Sequence, residues 1–281
     1  MRRAAVAALV VMACGGRPPA APQPLVCPPA VGGAAELLAP GATLVFGEIH
    51  GTAQMPAAIG AIACEATTHA PEVVVGLEMS RADQPRLDAY LDSDGGSGAR
   101  AALLAGAHWD YPDGRSSVAM AALVESLRAW RARGAAIHAV AFDIANLDPT
   151  SDPDAREAAM AGALAVARRA HPTAAMIVLT GNLHARLAGG VDFAPDVEWM
   201  AQRLAGAVRG LLAFDMGAAE GTAWMCTGPT RDACGVQPIG AGDDTAAPHI
   251  TREPVVDDKG RTVFVGHLWI GAPTASAPAR R

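Results

Sequence analysis

The sequence predicts an α/β protein whose mainly parallel sheet is covered by helices on both faces, with antiparallel strands added at one edge. Short apolar runs alternate with longer stretches of helical periodicity in the first two thirds of the chain, an order typical of parallel sheets. The last third contains several β-type runs with little helical pattern between them. A composition of 51% apolar and 18% charged residues among 281 is that of a folded globular protein.

The predicted strands and helices alternate as far as residue 179. Each strand is a continuous apolar run, as strands buried on both faces are, whereas the helical stretches repeat apolar residues every three to four positions. Beyond residue 210, further apolar runs predict strands that extend one edge of the sheet. The predicted strands are 43–46, 73–77, 137–142, 176–179, 211–214, 222–225 and 262–270, and the predicted helices are 55–67, 81–91, 99–105, 117–133 and 153–170.

The N-terminus resembles a bacterial secretory signal. Two arginines precede the apolar run 4–13 and Cys14, and this run is too short to cross a bilayer. Its last residues together with Cys14 resemble a lipobox, which predicts cleavage of a signal peptide at 1–13 and lipidation of Cys14. An ordinary cleaved signal is the alternative. We therefore expect an exported protein, attached by lipid to the cell envelope at the outer membrane or the periplasmic face.

A single domain is expected over residues 39–271. The segment 14–38 is rich in proline and predicts a tether, because proline fixes φ and removes a backbone donor. The segment 272–281 contains small residues and prolines and predicts a disordered tail. Neither end is expected to enter the core.

The cysteines predict disulfides. If Cys14 carries lipid, four cysteines remain, and an even number in an oxidising compartment favours pairing. Cys226 and Cys234 are the easier pair to close because only a short loop containing glycine and proline separates them. Cys27 and Cys64 are then left as a second pair by default.

Charge and motifs exclude several classes of function. The formal net charge is -6 and lysine and arginine are not clustered, so a nucleic-acid partner is not expected. The sequence contains no His-Glu-x-x-His, no Gly-x-Ser-x-Gly, no phosphate-binding loop and no dinucleotide fingerprint after the first strand. The common metalloprotease, serine hydrolase, NTPase and dehydrogenase classes are therefore disfavoured.

Polar side chains follow the first four predicted strands at the point where each strand ends. Because the carboxyl ends of parallel strands share one edge of the sheet, we expect these side chains to lie close together in a crevice there. They are Glu48, His50, Glu78, Asp143, Asn182 and His184.

Two imidazoles and two carboxylates in this group suit hydrolysis by either of two routes. His50, Glu78 and His184 are the donor set of a metal site with an open position for water, for which zinc or manganese is the expected ion. Without metal, Glu48 or Glu78 beside an imidazole raises its basicity, so that it activates water. Glu48, His50, Glu78 and His184 are the expected catalytic residues. For either histidine alone, a structural role near a helix N-terminus is the alternative.

A polar, aromatic loop at 108–117 supplies two further candidates. Trp109 and Arg115 are expected to bind substrate, with Arg115 holding a carboxylate or phosphate. Asp143 and Asn182 complete the expected substrate-binding set, although Asp143 also suits a capping role. His138 and His267 lie in apolar strand patterns, and His69 and His171 lie at helix ends, where histidine is favourable. Like His249, they lack polar neighbours of this kind and are not assigned to the site.

The motifs resemble those of the ChaN, Tiki and erythromycin-esterase superfamily over about residues 39–215. The resemblance implies an α/β core with two Gly-x-x-His motifs and an intervening glutamate around one site. ChaN-like members are lipoproteins implicated in haem binding, Tiki-like members are metal-dependent proteases, and the esterases open macrolide lactones. The lipobox favours the ChaN-like branch, whereas the residues after His50 look more like the esterases. The matching segments are LVFGEIHGT at 44–52, GLEM at 76–79, QPRLDAYL at 84–91, Trp109, and GNLH at 181–184.

Two functional hypotheses result. The first is a lipid-anchored hydrolase of an ester or amide bond, acting on a small molecule or a peptide. The second is a haem- or iron-binding lipoprotein without catalysis, in which Tyr90 or Tyr111 would have to ligate the haem.

Overall fold

A computed structural model describes residues 25–144, 152–244 and 246–280. The predicted signal peptide at 1–13, the predicted lipidation site Cys14 and the first part of the predicted tether lie outside these ranges. Among the helices within them, none has both the length and the apolar character needed to cross a bilayer.

The predicted alternation of strands and helices is present. The strands are β1 (Thr43–Glu48), β2 (Val73–Ser80), β3 (Ile137–Asp143), β4 (Ala175–Gly181), β5 (Leu212–Gly217), β6 (Gly221–Cys226), β7 (Cys234–Ile239), β8 (His249–Thr251), β9 (Val255–Val256), β10 (Thr262–Phe264) and β11 (Gly266–Trp269). The α-helices are α1 (Gln54–Ala66), α2 (Gln84–Leu91), α3 (Ser97–Leu104), α4 (Val118–Arg131), α5 (Pro153–Ala170) and α6 (Met200–Ala207).

A seven-stranded sheet forms the centre of the fold in the order β3-β2-β4-β1-β5-β11-β8. All neighbouring strands are parallel except β8, which lies antiparallel to β11 at the edge. Every residue of β1 and β2 is buried, as expected for strands covered on both faces. The predicted fold class is confirmed.

Two apolar layers sandwich the sheet. Leu44 and Phe46 of β1 point into the layer formed with α1, α2 and α4, where Phe46 stacks on Phe214 at 5.4 Å between ring centroids. Val45 points the other way, into the layer formed with α5 and α6. Glu48 and Glu78 lie at the same end of the molecule because β1 and β2 both run parallel to β4.

The last third of the chain differs from the predicted antiparallel arrangement. β5 and β11 continue the parallel sheet, and β8 alone is added antiparallel to it. The run 262–270 is two strands instead of one, because Val265 leaves β10 and donates its N–H to Ala213. β11 can lie parallel to β5 because the long segment between them, which includes the separate hairpin β6-β7, crosses back to the other end of the sheet.

The prediction that both ends stay out of the core is wrong for the residues that the structure describes. Ser276 N–H donates to the carbonyl of Gly51 at 2.7 Å, and Val118 N–H, at the start of α4, donates to Ala277 at 2.8 Å. The first N–H groups of a helix lack partners within the helix, and the C-terminal segment supplies them. At the other end, Leu37 and Leu38 are buried against α1.

Both predicted cysteine pairs form disulfides. Cys226 and Cys234 link the ends of β6 and β7 with Cα atoms 3.8 Å apart, and Cys27 is bonded to Cys64 of α1 with Cα atoms 5.6 Å apart. Disulfides persist in oxidising compartments, which indicates an extracytoplasmic protein.

Candidate active site

The carboxyl ends of four adjacent strands bring the predicted polar residues together. β3, β2, β4 and β1 are consecutive in the sheet. Asp143, Gly181 and Glu48 are the last residues of β3, β4 and β1, and Glu78 lies two residues before the end of β2. β2 runs to Ser80, three residues beyond its predicted end, so Glu78 lies within the strand.

Glu78 is the centre of the site, with one imidazole on each side. Nε2 of His50 lies 3.7 Å from Oε2 of Glu78, and Nε2 of His184 lies 3.7 Å from Oε1. Gly181 leaves room for this approach, because an added Cβ would lie 3.3 Å from Nε2 of His50 and 3.5 Å from the His184 ring. Residues 134 positions apart in the chain therefore share one carboxylate.

Each imidazole is oriented by its own buried carboxylate. Nδ1 of His50 donates to Oε1 of Glu48 at 2.9 Å, and Nδ1 of His184 donates to Oε1 of Glu157 at 2.6 Å. The other oxygen of Glu157 accepts from the N–H of Met200 at 2.8 Å. A carboxylate on Nδ1 fixes the tautomer and the orientation of the ring, so both Nε2 atoms face Glu78.

Glu78 is held as an anion by several donors. Its Oε2 accepts from the hydroxyl of Thr180 at 2.8 Å and from the N–H of Gly181 at 2.6 Å, and its Oε1 accepts from Nη2 of Arg156 at 3.2 Å. Burial raises the pKa of Glu78, but the charges of His184, His50 and Arg115 outweigh it and hold the pKa well below its usual range. Glu78 is therefore ionised at neutral pH.

Two arginines, the buried Arg115 and the partly buried Arg156, surround the central carboxylate. Arg156 makes a bidentate pair with Asp143, at 2.9 and 2.7 Å, and its Nη1 lies 3.2 Å from Nε2 of His184. Arg115 is paired with Asp113, and its Nη1, 3.5 Å from Oε1 of Glu78, has no hydrogen-bond partner. Burial lowers the pKa of Arg115, but Glu78 and Asp113 outweigh it and raise the pKa, so the group stays charged. This buried Nη1 faces the carboxylates of Glu78 and Asp143, at 3.5 and 3.9 Å, and adds positive charge to the centre of the site.

His50 is protonated at neutral pH. Burial lowers the pKa of the imidazole, but the charge of Glu78 and the hydrogen bond to Glu48 outweigh burial and raise the pKa to about 10. Burial also raises the pKa of Glu48, whose Oε2 is buried without a hydrogen-bond partner. The Glu48–His50 pair thus retains a proton that an ordinary histidine would release near pH 6.5.

The donor set of His50, Glu78 and His184 does not fit a metal ion. Both oxygens of Glu78 already accept hydrogen bonds, and the guanidinium of Arg156 lies against Nε2 of His184. Arg115 and Arg156 place positive charge where a metal ligand set requires free lone pairs. A different group has the spacing of a metal site. Within the described ranges, the ligand atoms of Glu72, His138 and His171 all lie within 4.8 Å of one another.

The architecture is similar to that of proteins of known structure. A variant of erythromycin esterase in its open conformation aligns over 87% of this chain and 93% of its own, with a TM-score of 0.60 and 12% sequence identity. The chain has the erythromycin-esterase fold. A succinoglycan biosynthesis protein shares it over 84% of this chain and 89% of its own, with a TM-score of 0.59 and 11% identity. A Bacillus cereus protein shares it over 87% and 92%, with a TM-score of 0.60 and 12% identity.

These likenesses confirm, at the level of the fold, the predicted resemblance to the ChaN, Tiki and erythromycin-esterase superfamily. No protein-family model matches the chain, and no curated protein matches it in sequence.

The predicted substrate-binding residues have different positions in this erythromycin-esterase fold. Asp143 and Arg115 lie at the site, although both are engaged in ion pairs. The N–H of Asn182 donates to the carbonyl of Glu48 at 3.0 Å and links β4 to β1. Contrary to the prediction, Trp109 cannot line a pocket, because it is 1% exposed and packs edge-on against His108.

The two tyrosines considered as haem ligands are both engaged. The Tyr90 hydroxyl donates to Glu125 of α4 at 2.6 Å, within the helical layer. The Tyr111 ring lies under the guanidinium of Arg115, 4.8 Å from its carbon to the ring centroid. The Tyr90 hydroxyl is thus occupied by a hydrogen bond, and the Tyr111 ring is packed against the guanidinium of Arg115.

Sequence reasoning missed Arg156 and Glu157, which both reach the site from α5. The sequence predicts only a helix over 153–170, and charged residues of a helix that covers a sheet usually face solvent. One signal was available: Glu157 has helical spacing to Met160, Ala161 and Leu164, which are buried, so a carboxylate interrupts the apolar face.

Proposed function

We propose that this protein is an exported, lipid-anchored hydrolase that cleaves an ester or amide bond by proton transfer through His50. One observation carries the proposal. Two imidazoles, each anchored by its own buried carboxylate, converge on a third carboxylate at the carboxyl edge of the sheet. Such chains of carboxylate and imidazole orient a proton-transfer group, and the ends of strands in an open sheet are where α/β folds bind ligands.

In the proposed reaction, neutral His50 accepts a proton from water at Nε2 as the water oxygen forms a bond to the acyl carbon. Glu48 stabilises the resulting imidazolium. The positive charge of Arg115, which lies 3.5 Å from Glu78 at the centre of the site, stabilises the developing oxyanion. The tetrahedral intermediate then breaks its bond to the leaving group, and His50 returns the proton to that group. Glu78 and Glu157 are positioning residues, since they hold the rings without contacting water or substrate in this scheme.

The protonation of His50 sets the pH at which this reaction runs. With a pKa of about 10, about one molecule in a thousand carries the neutral imidazole at pH 7. Base catalysis is therefore expected to increase with pH up to about 10.

Fold and compartment support the proposal. One of the similar structures is an esterase by name, and the two disulfides agree with export. The lipid anchor depends on Cys14 and on the signal-like residues before it. A Cys14→Ala variant is expected to leave the membrane fraction, whereas a wild-type protein that is recovered in the soluble fraction without lipid would contradict the anchor.

A panel of activated esters, lactones and peptide amides tests the hydrolase. The mature protein is expected to hydrolyse at least one class, and His50→Gln is expected to lower kcat by about 100-fold or more. His69→Gln is the matched control, because His69 is an exposed histidine at the end of α1. Equal rates for His50→Gln and wild type would contradict the proposal. A stoichiometric shift of the haem Soret band, with no turnover on any substrate, would favour the binding lipoprotein instead.

A further inference from the structure

We propose a second, independent site for a divalent transition-metal ion, formed by Glu72, His138 and His171 at the opposite end of the sheet. Glu72 precedes β2, His138 lies on β3, and His171 follows α5. One ligand atom from each side chain lies within 4.8 Å of those of the other two. The proposal does not depend on the proposed hydrolase.

The three side chains already converge. Nδ1 of His171 lies 2.7 Å from Oε2 of Glu72, and Nε2 of His138 lies 3.9 Å from the same oxygen. The two imidazole rings are 4.3 Å apart between centroids. Ligands at about 2.0–2.1 Å from a tetrahedral zinc ion lie about 3.4 Å from one another, so the two contacts with Glu72 reach ligand spacing with changes of about 0.7 and 0.5 Å.

The backbones of all three residues are fixed by secondary structure. The carbonyl of Glu72 accepts from the N–H of Ala175 at 2.9 Å, and His138 is paired in register with Val74. His171 N–H donates to the carbonyl of Ala167 at the end of α5. Its own carbonyl accepts from Arg168. The three side chains are about a quarter to two fifths exposed. An ion could therefore enter from solvent, and the side chains could rotate to bind it while the backbone stays fixed.

The ligand types select the kind of ion. Two imidazoles and one carboxylate suit zinc, cobalt or nickel, whereas magnesium and calcium prefer oxygen ligands alone. Three protein ligands leave at least one position for water, as in open zinc sites. The ion would join the start of β2, the start of β3 and the end of α5.

This site is separate from the candidate active site. Glu72 and Glu78 are six residues apart along an extended strand, which corresponds to roughly 20 Å at 3.3 Å per residue. No guanidinium hydrogen-bonds Glu72, His138 or His171 through their side chains within the described part of the chain, in contrast with His184 and Glu78. The lone pairs here are free to bind an ion once the Glu72–His171 contact opens.

Calorimetric titration of zinc chloride into the chelator-treated, full mature protein tests the proposal. We expect one equivalent to bind, with affinity reduced about tenfold or more by His138→Gln, by His171→Gln and by the isosteric Glu72→Gln. His69→Gln is the matched control and His50→Gln reports on the active site, and both are expected to bind zinc as wild type does. Circular dichroism checks that each variant is folded.

Four results would overturn the proposal or its ligand assignment. One is the absence of saturable binding to wild type, which would leave the cluster as an ion pair only. Another is binding that survives in all three cluster variants. The third is binding that His50→Gln removes, because the ion would then belong to the active site. Magnesium at equal concentration is expected not to displace zinc, and displacement would contradict the ligand assignment.

Discussion

The proton on His50 is the property of the site that can be measured without knowing the substrate. At about 1.4 kcal/mol per pH unit, raising the pKa of His50 from 6.5 to about 10 corresponds to a preference for the imidazolium of about 5 kcal/mol. Glu78 and Glu48 supply it against the cost of burial. Glu48→Gln keeps the shape of the side chain and removes one of the two charges, so the pKa of His50 is expected to fall toward its ordinary value while Glu78 still raises it.

Proton NMR of the histidine rings between pH 5 and 11 measures this change, with the His50 resonance assigned from its loss in His50→Gln. Wild-type His50 is expected to titrate near pH 10 and the Glu48→Gln variant at lower pH. A wild-type His50 that titrates between pH 6 and 7, or one that Glu48→Gln leaves unchanged, would refute the electrostatic account of the site.

The same proton is linked to stability. Because the folded pKa lies above the unfolded value, the imidazolium stabilises the fold fully below about pH 6.5, and this stabilisation is lost as the pH rises through about 10. Urea unfolding of wild type and His50→Gln is therefore expected to show a stability difference that decreases between pH 7 and pH 10. A difference that is constant over this interval would contradict the linkage.

Three further predictions concern the fold and the site. Replacing Cys27 and Cys64 by alanine is expected to lower the free energy of unfolding by about 4 kcal/mol, against about 2.5 kcal/mol for the eight-residue hairpin disulfide, because the longer loop has more entropy to lose; equal losses in urea unfolding would contradict this. Deleting residues 272–281 is expected to cost about 5 kcal/mol, since five backbone hydrogen bonds of about 1 kcal/mol each are lost, and an unchanged unfolding midpoint would refute it. Gly181→Ala is expected to lower kcat with little change in the melting temperature, because its Cβ would lie 3.3 Å from the His50 ring; full activity would show that the close approach is dispensable.

The parallel sheet and the convergence of the site were predictable because both follow from local pattern. Continuous apolar runs indicated strands covered on both faces. Once those strands are parallel, Glu48, Glu78 and Gly181 must lie at one edge. The bounds of β2 were less predictable, because donors from the neighbouring strand, the Thr180 hydroxyl and the Gly181 N–H, allow a buried carboxylate inside the strand.

Interactions between distant segments were not predictable from the sequence. Arg156 and Glu157 lie in the first turns of α5. The periodicity of this helix indicates that it packs on the sheet, but it does not indicate whether its first turn reaches the ends of the strands. The pairing of Glu72 with His171 joins residues 99 positions apart, and nothing in either local sequence indicates it. The C-terminal segment resembled a disordered tail because it has small residues and prolines, yet it is ordered by hydrogen bonds to loops far away in the chain.

The contact between the C-terminal segment and the loop after β1 has a consequence for biosynthesis. The carbonyl of Gly51, next to His50, accepts from both Trp224 and Ser276, and Ala53 N–H donates to Thr274. The loop that carries His50 therefore lacks these hydrogen bonds until residues 274–276 have been synthesised. A nascent chain whose last residues are still in the ribosome or the export channel could form the central sheet, but the loop next to His50 would not yet be held in place. A bulky fusion at the C-terminus is therefore expected to lower activity more than an equally large fusion at the N-terminus.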